Sequence, residues 1–145
     1  MPIFVDTNVL VYARDSTEGS KQQLAGRWID WLWRRRSGRL SVQVLHEYYV
    51  TVTRNLQPGL PADEARRDVG DLLRWNPLAL DERLLESAWA LEDQHGLSFW
   101  DALIVAAAAR SGCAHLLTED LADGRHLGGV EVVNPFLHQP QEIQD

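Results

Sequence analysis

The chain has a single cysteine, a single methionine, a single lysine and three phenylalanines in 145 residues. One cysteine, Cys113, excludes an intramolecular disulfide and any zinc site built on several thiolates. It stands beside the apolar stretch AHLL and is expected as a buried structural thiol. No run of about 18 apolar residues occurs, so no membrane-spanning helix is expected. The start, MPIFVDTNV, has neither the basic flank nor the apolar length of a secretory signal, which predicts a cytoplasmic protein. The five histidines never take the H-E-x-x-H spacing, and no G-x-S-x-G occurs, which removes zincin and serine-hydrolase chemistry.

The chain is rich in other things. Apolar residues make up 45%, and six are tryptophan, enough for one sizeable core at this length. The net charge of −7 opposes a phosphate backbone, so any nucleic-acid contact must rest on local cation clusters. Two exist: Arg34, Arg35, Arg36 and Arg39, and then Arg66 and Arg67. They read either as the walls of a groove or as the solvated C-terminal end of a helix, where cations complement the helix dipole.

Short apolar runs alternate with helical patterns. Ile3 to Val5 reads as a strand that Asp6, Thr7 and Asn8 turn into a helix. From Ser20 the positions Leu24, Trp28, Ile29, Trp31 and Leu32 form a helical stripe, with Gly38 as its stop. Leu40 to Val42 is a strand candidate, and Val44 to Leu56 a helix that carries Glu47 and ends at Pro58-Gly59. Pro61 opens a helix running to about Trp75. PLAL is strand-like, Asp81 caps a helix reaching Gly96, and Ser98 caps an alanine-rich helix that Gly112 ends. His115 to Leu117 and Val130 to Val133 are the last strand candidates. The alternation predicts a three-layer α/β/α sandwich with a mostly parallel sheet over residues 1–136, and QPQEIQD places a polar tail at 137–145.

Four acids sit at the ends of these apolar elements: Asp6, Glu47, Asp101 and Asp120. Burying an ionised carboxylate without compensation costs several kcal/mol or more, and a bound divalent metal is the simplest compensation. In open α/β sheets ligands gather at the carboxyl ends of the strands, where Asp6 and Asp120 both belong. Two hard cations about 3.5 to 4 Å apart can hold the attacking and leaving oxygens of a phosphodiester displacement, so the pattern points to a metal-dependent nuclease. A phosphoacceptor domain would need a lysine on a late strand, and Lys21 lies early. His46 and His115 read as structural.

These segments resemble the PIN domain, and within it the VapC-type ribonuclease toxins of toxin-antitoxin modules. The resemblance rests on FVDTNVLVYA, SVQVLHEYYVTVTRNL, GLSFWDALIVAAA, LLTEDLADG and VEVVNPF, and runs from Ile3 to about Phe136. It implies that Asp6, Glu47, Asp101 and Asp120 hold Mg²⁺, with Mn²⁺ as a substitute, and cleave RNA, with Asn8 and Thr118 in support. Many relatives carry an aromatic residue after the last aspartate where Leu121-Ala122-Asp123-Gly124 stands here, so Asp123 is either a fifth acid of the site or a turn residue. A cognate antitoxin and a homodimer are the implied partners. The alternative is a PIN-like module that only binds, which would need loss of an acid. Trp28, Trp31 and Trp33 cannot all face one core at helical spacing, so one is expected exposed, meeting another chain.

Overall fold

The computed structural model describes residues 1–143. Its sheet has the order β2-β1-β3-β5-β4, from β1 (Ile3–Val5), β2 (Gly38–Arg39), β3 (His115–Leu117), β4 (His126–Leu127) and β5 (Val130–Val133). All neighbours are parallel except β4, which returns antiparallel along β5. The three-residue strands IFV and HLL are buried almost end to end, as expected of a parallel sheet covered on both faces. Helices lie on both sides: α1 (Thr7–Tyr12), α2 (Ser20–Arg35), α3 (Val42–Val50), α4 (Ala62–Leu72), α5 (Glu82–His95) and α6 (Phe99–Arg110). No helix among the described residues is long and apolar enough to cross a membrane.

The caps expected from the sequence are present. Asp81 and Ser98 accept from the backbone of Leu84 and Asp101 and open α5 and α6. Ala102 through Ala108 are all buried, because small side chains let α6 pack closely against both the sheet and α5. Cys113 is buried, and its thiol is pushed up to about 12 by that burial, so it is the inert thiol expected.

Four expectations change. The strand after α2 is Gly38–Arg39 rather than Leu40–Val42; Leu40 and Val42 instead bond to Leu78, so PLAL contributes one isolated bridge, Ser41↔Leu78. Gly38 does not stop α2, because Arg36 takes the left-handed cap. Gly38 is required by packing, since a Cβ there would lie 2.6 Å from the Trp75 ring. The segment after Phe136 is no loose tail as far as Ile143: Pro140 is buried, and Ile143 packs on the core. Residues 144 and 145 lie outside the described residues.

The tryptophan stripe is the fourth. Trp28 is 1% exposed, and its indole Nε1 donates to the carbonyls of Pro135 and His138 at 2.9 and 3.1 Å. Trp31 packs edge-on against Trp28 under Arg35, and Trp33 lies 5.1 Å from Trp75. The chain itself thus partly covers all three, with the C-terminal segment and Trp75 supplying area that one helix face could not. The exposed tryptophans are Trp89 and Trp100.

Candidate active site

Asp6 follows β1 directly and accepts from the Thr7 backbone N–H at 2.7 Å. It is 6% exposed. Its second oxygen accepts from Thr118 Oγ1 at 2.9 Å and from Asn8 Nδ2 at 3.3 Å. Thr118, fully buried just past β3, spends its hydroxyl completely: it donates to Asp6 and accepts from Asn8 Nδ2 at 3.0 Å and from the Asp120 backbone at 3.1 Å. Asn8 Nδ2 also reaches Asp120 Oδ2 at 3.1 Å, and its Oδ1 accepts from the Glu119 backbone. Two residues seen in the sequence as supports therefore lock the ends of β1 and β3 together and aim two carboxylates at one place.

Glu47 comes from α3. Gln43 Nε2 donates to its Oε1 at 2.6 Å, and Thr7 Oγ1 to its Oε2 at 3.3 Å. Asp101 stands in the first turn of α6, and among the described residues its carboxylate accepts no hydrogen bond. The four acids nonetheless form one electrostatic run. Burial pushes Asp6 up to about 7 against the pull of Thr118 and Thr7, and the charges of Asp120 and Glu47 add to the rise. Asp120 is likewise raised by partial burial, with Asp101 and Glu119 adding to it while Asn8 opposes. Burial is the larger cause at both aspartates, and the neighbouring like charges add to it.

A cavity of about 390 Å³ opens beside Thr7, Asn8, Glu47 and Asp120, and Asp15 and Glu18 line it as well. Sequence reasoning missed these two acids, whose polar loop gave no signal, and Gln43, whose place one helical turn before Glu47 was such a signal. The rim is braced by Glu119, which accepts from Tyr12 Oη at 2.7 Å and from Lys21 at 2.6 Å. Asp123 bonds elsewhere: Oδ1 accepts from the Asn134 N–H, and Oδ2 meets His138 Nε2, both at 2.8 Å.

The donor set fits a hard divalent cation: every side chain offered is an oxygen donor, the Asp6 carboxylate is buried, and Gln43 Oε1 is a buried acceptor without a partner. The acids surround the site rather than close on one point, for among the described residues no three His, Cys, Asp or Glu side chains stand arranged around a single ion. A cation would have to draw them inward.

A family model for the PIN domain matches residues 3–122. No curated protein matches the sequence. Among solved structures, a toxin-antitoxin complex from Klebsiella pneumoniae is similar at 22% identity and a TM-score of 0.63, covering 93% of this chain and 98% of that one. Mycobacterium tuberculosis VapC20, described as a toxin cleaving the sarcin-ricin loop, is 21% identical with a TM-score of 0.60, over 89% of this chain and 98% of that one. VapBC2 from Rickettsia felis, bound to a DNA fragment from its promoter, is 16% identical with a TM-score of 0.59, over 91% and 97% of the two chains.

Proposed function

Because this chain belongs to the PIN domain family, we propose that it is an endoribonuclease that hydrolyses RNA phosphodiester bonds and serves as the toxin of a toxin-antitoxin pair. The observation that carries the reading is the run Glu47, Asp6, Asp120, Asp101: four carboxylates gathered at the carboxyl edge of the sheet, of which Asp6 and Asp120 are pinned by Asn8 and Thr118. Such a concentration of like charge costs stability, and groups perturbed in this way cluster at functional sites.

Asp6, Asp101, Asp120 and Glu47 would hold Mg²⁺, with Mn²⁺ as a substitute. When bound, the metal neutralises the phosphate and acidifies a water. The remaining work falls to this chain's own residues. Thr118 and Asn8 fix the Asp6 and Asp120 oxygens, so little reorganisation is left for the moment of reaction. Thr7 and Gln43 hold Glu47 at the cavity, where its Oε2 can orient the attacking water and take up its proton. Lys21 and Tyr12 hold Glu119, and with it the loop that presents Asp120.

Two of the similar solved structures are a toxin-antitoxin complex and a VapBC pair, which supports an antitoxin as partner here. A homodimer in the cytoplasm completes the proposal, and light scattering of the purified chain tests the dimer. The test of activity is to incubate purified protein with total RNA in Mg²⁺, Mn²⁺, Ca²⁺ or chelator and to sequence the cleaved ends. Cleavage is expected in Mg²⁺ and Mn²⁺ only, since a larger ion relaxes the octahedral geometry. An undiminished rate in chelator would sink the metal requirement, and full activity of Asp6→Asn would sink the site.

A further inference from the structure

At the opposite, N-terminal end of β2 three arginines from three elements share one cavity of about 410 Å³: Arg36 from the cap of α2, Arg39 from β2, and Arg74 from the turn after α4. Trp33 and Trp75 form its walls, with Trp75 lying against Gly38. Arg39 is held in place, its Nη1 donating to the carbonyls of Gly38 at 2.8 Å and Arg36 at 3.3 Å. Among the described residues none of the three guanidinium groups has an acidic partner. Other cations of the chain do: Arg14 pairs with Asp68 and Glu64, Lys21 with Glu119, Arg34 with Asp30 and Arg110 with Asp81. In a chain with 21 acids and a net charge of −7, three arginines without an acidic partner around one cavity concentrate positive charge where an anion would be held.

A second observation points the same way. Trp75 is 4% exposed, and its Nε1 is buried without a hydrogen-bond partner, as is the neighbouring Ser37 Oγ. An indole N–H only donates, so what Trp75 lacks is an acceptor. Arginine forks match phosphate oxygens in pairs, and indole walls suit the sugar next to a phosphate.

We propose that the cavity of Arg36, Arg39, Arg74 and Trp75 is a phosphate subsite for the RNA strand, remote from the scissile bond. The inference rests on the ribonuclease reading. An acidic chain that takes RNA has to concentrate its cations where the strand runs, and here the sequence clusters are sorted: Arg36 and Arg39 join Arg74, while Arg66 turns to Tyr49.

The test uses full-length Asp6→Asn protein, which binds without cutting, and the anisotropy of a labelled hairpin RNA across a salt series. Arg74→Ala, whose side chain makes no hydrogen bond among the described residues, and the Arg39→Ala/Arg74→Ala pair should each weaken binding several-fold. Each should also lower the salt slope by about one for every phosphate no longer held. Arg34→Ala should change neither. Inorganic phosphate should shift tryptophan fluorescence of the parent and not of the double variant. In the Asp6-intact protein, the double variant should cut a dinucleotide, too short to reach the cavity, at the wild-type rate. Unchanged RNA affinity and salt slope in the double variant overturn the proposal. A phosphate response with unchanged RNA affinity assigns the cavity to a free anion and overturns it equally. Should the wild type cut no RNA, the activity reading fails, and the anisotropy series still decides the subsite.

Discussion

The side-chain amide of Asn8 reaches Asp120 across 112 positions of sequence, at 3.1 Å. The same nitrogen lies 3.3 Å from Asp6. One neutral amide therefore stands between two carboxylates that repel each other, and its own oxygen holds the Glu119 backbone.

Replacing Asn8 by Ala should consequently lower the cleavage rate about 10–100-fold, the range typical of residues that orient metal-binding carboxylates. Activity should partly return at higher Mg²⁺. Initial rates across a metal titration check this, and a rate within about twofold of wild type would remove Asn8 from the machinery.

Asp6→Asn should abolish cleavage and leave the metal-free protein at least as stable as wild type. The native carboxyl is raised by burial and by the charges of Asp120 and Glu47, so a neutral isostere relieves repulsion while its one carbonyl oxygen keeps the bond from the Thr7 N–H. Thermal melts in chelator are the measurement, and a melting temperature several degrees lower would contradict it.

Gly38→Ala should cost about 1–3 kcal/mol, because the added methyl would sit 2.6 Å from the packed Trp75 ring and the core must shift to admit it. Chemical denaturation reads this directly, and RNA cleavage of a dinucleotide by the folded fraction should be unchanged.

The C-terminal segment should loosen as pH rises. Asp123 and then Glu142 hold the His138 imidazole above its ordinary value, while the Asn134 N–H and then His138 hold Asp123 below its own. The histidine contribution is full below the ordinary histidine value and is lost as pH climbs through the raised one. The aspartate contribution is full above the ordinary aspartate value and is lost as pH falls through the lowered one. The segment is therefore tightest in mildly acidic solution. Trp28 Nε1 bonds to the His138 carbonyl, so protection of its indole proton, corrected for intrinsic exchange, should fall from about pH 6 to about pH 8. In His138→Asn that dependence should flatten.

Local chemistry was legible in the sequence where one residue decides it. The caps at Asp81 and Ser98, the buried strands IFV and HLL and the inert Cys113 follow from spacing and side-chain type alone, because a cap or a short apolar run needs no distant partner. Asp6, Glu47, Asp101 and Asp120 could be picked out as acids at element ends, whereas Asn8 and Thr118 came in as their supports only through the resemblance to the PIN domain. What the sequence could not contain was who meets whom. Arg36 and Arg39 are neighbours of Arg34 in the chain but of Arg74 and Trp75 in space. Trp28 is buried because residues about 107 positions away supply its acceptors, and Gly38 is a glycine because of Trp75. Periodicity assigns each helix a face, but the area and the hydrogen-bond partners that cover that face come from remote segments, and only the packed chain brings them there.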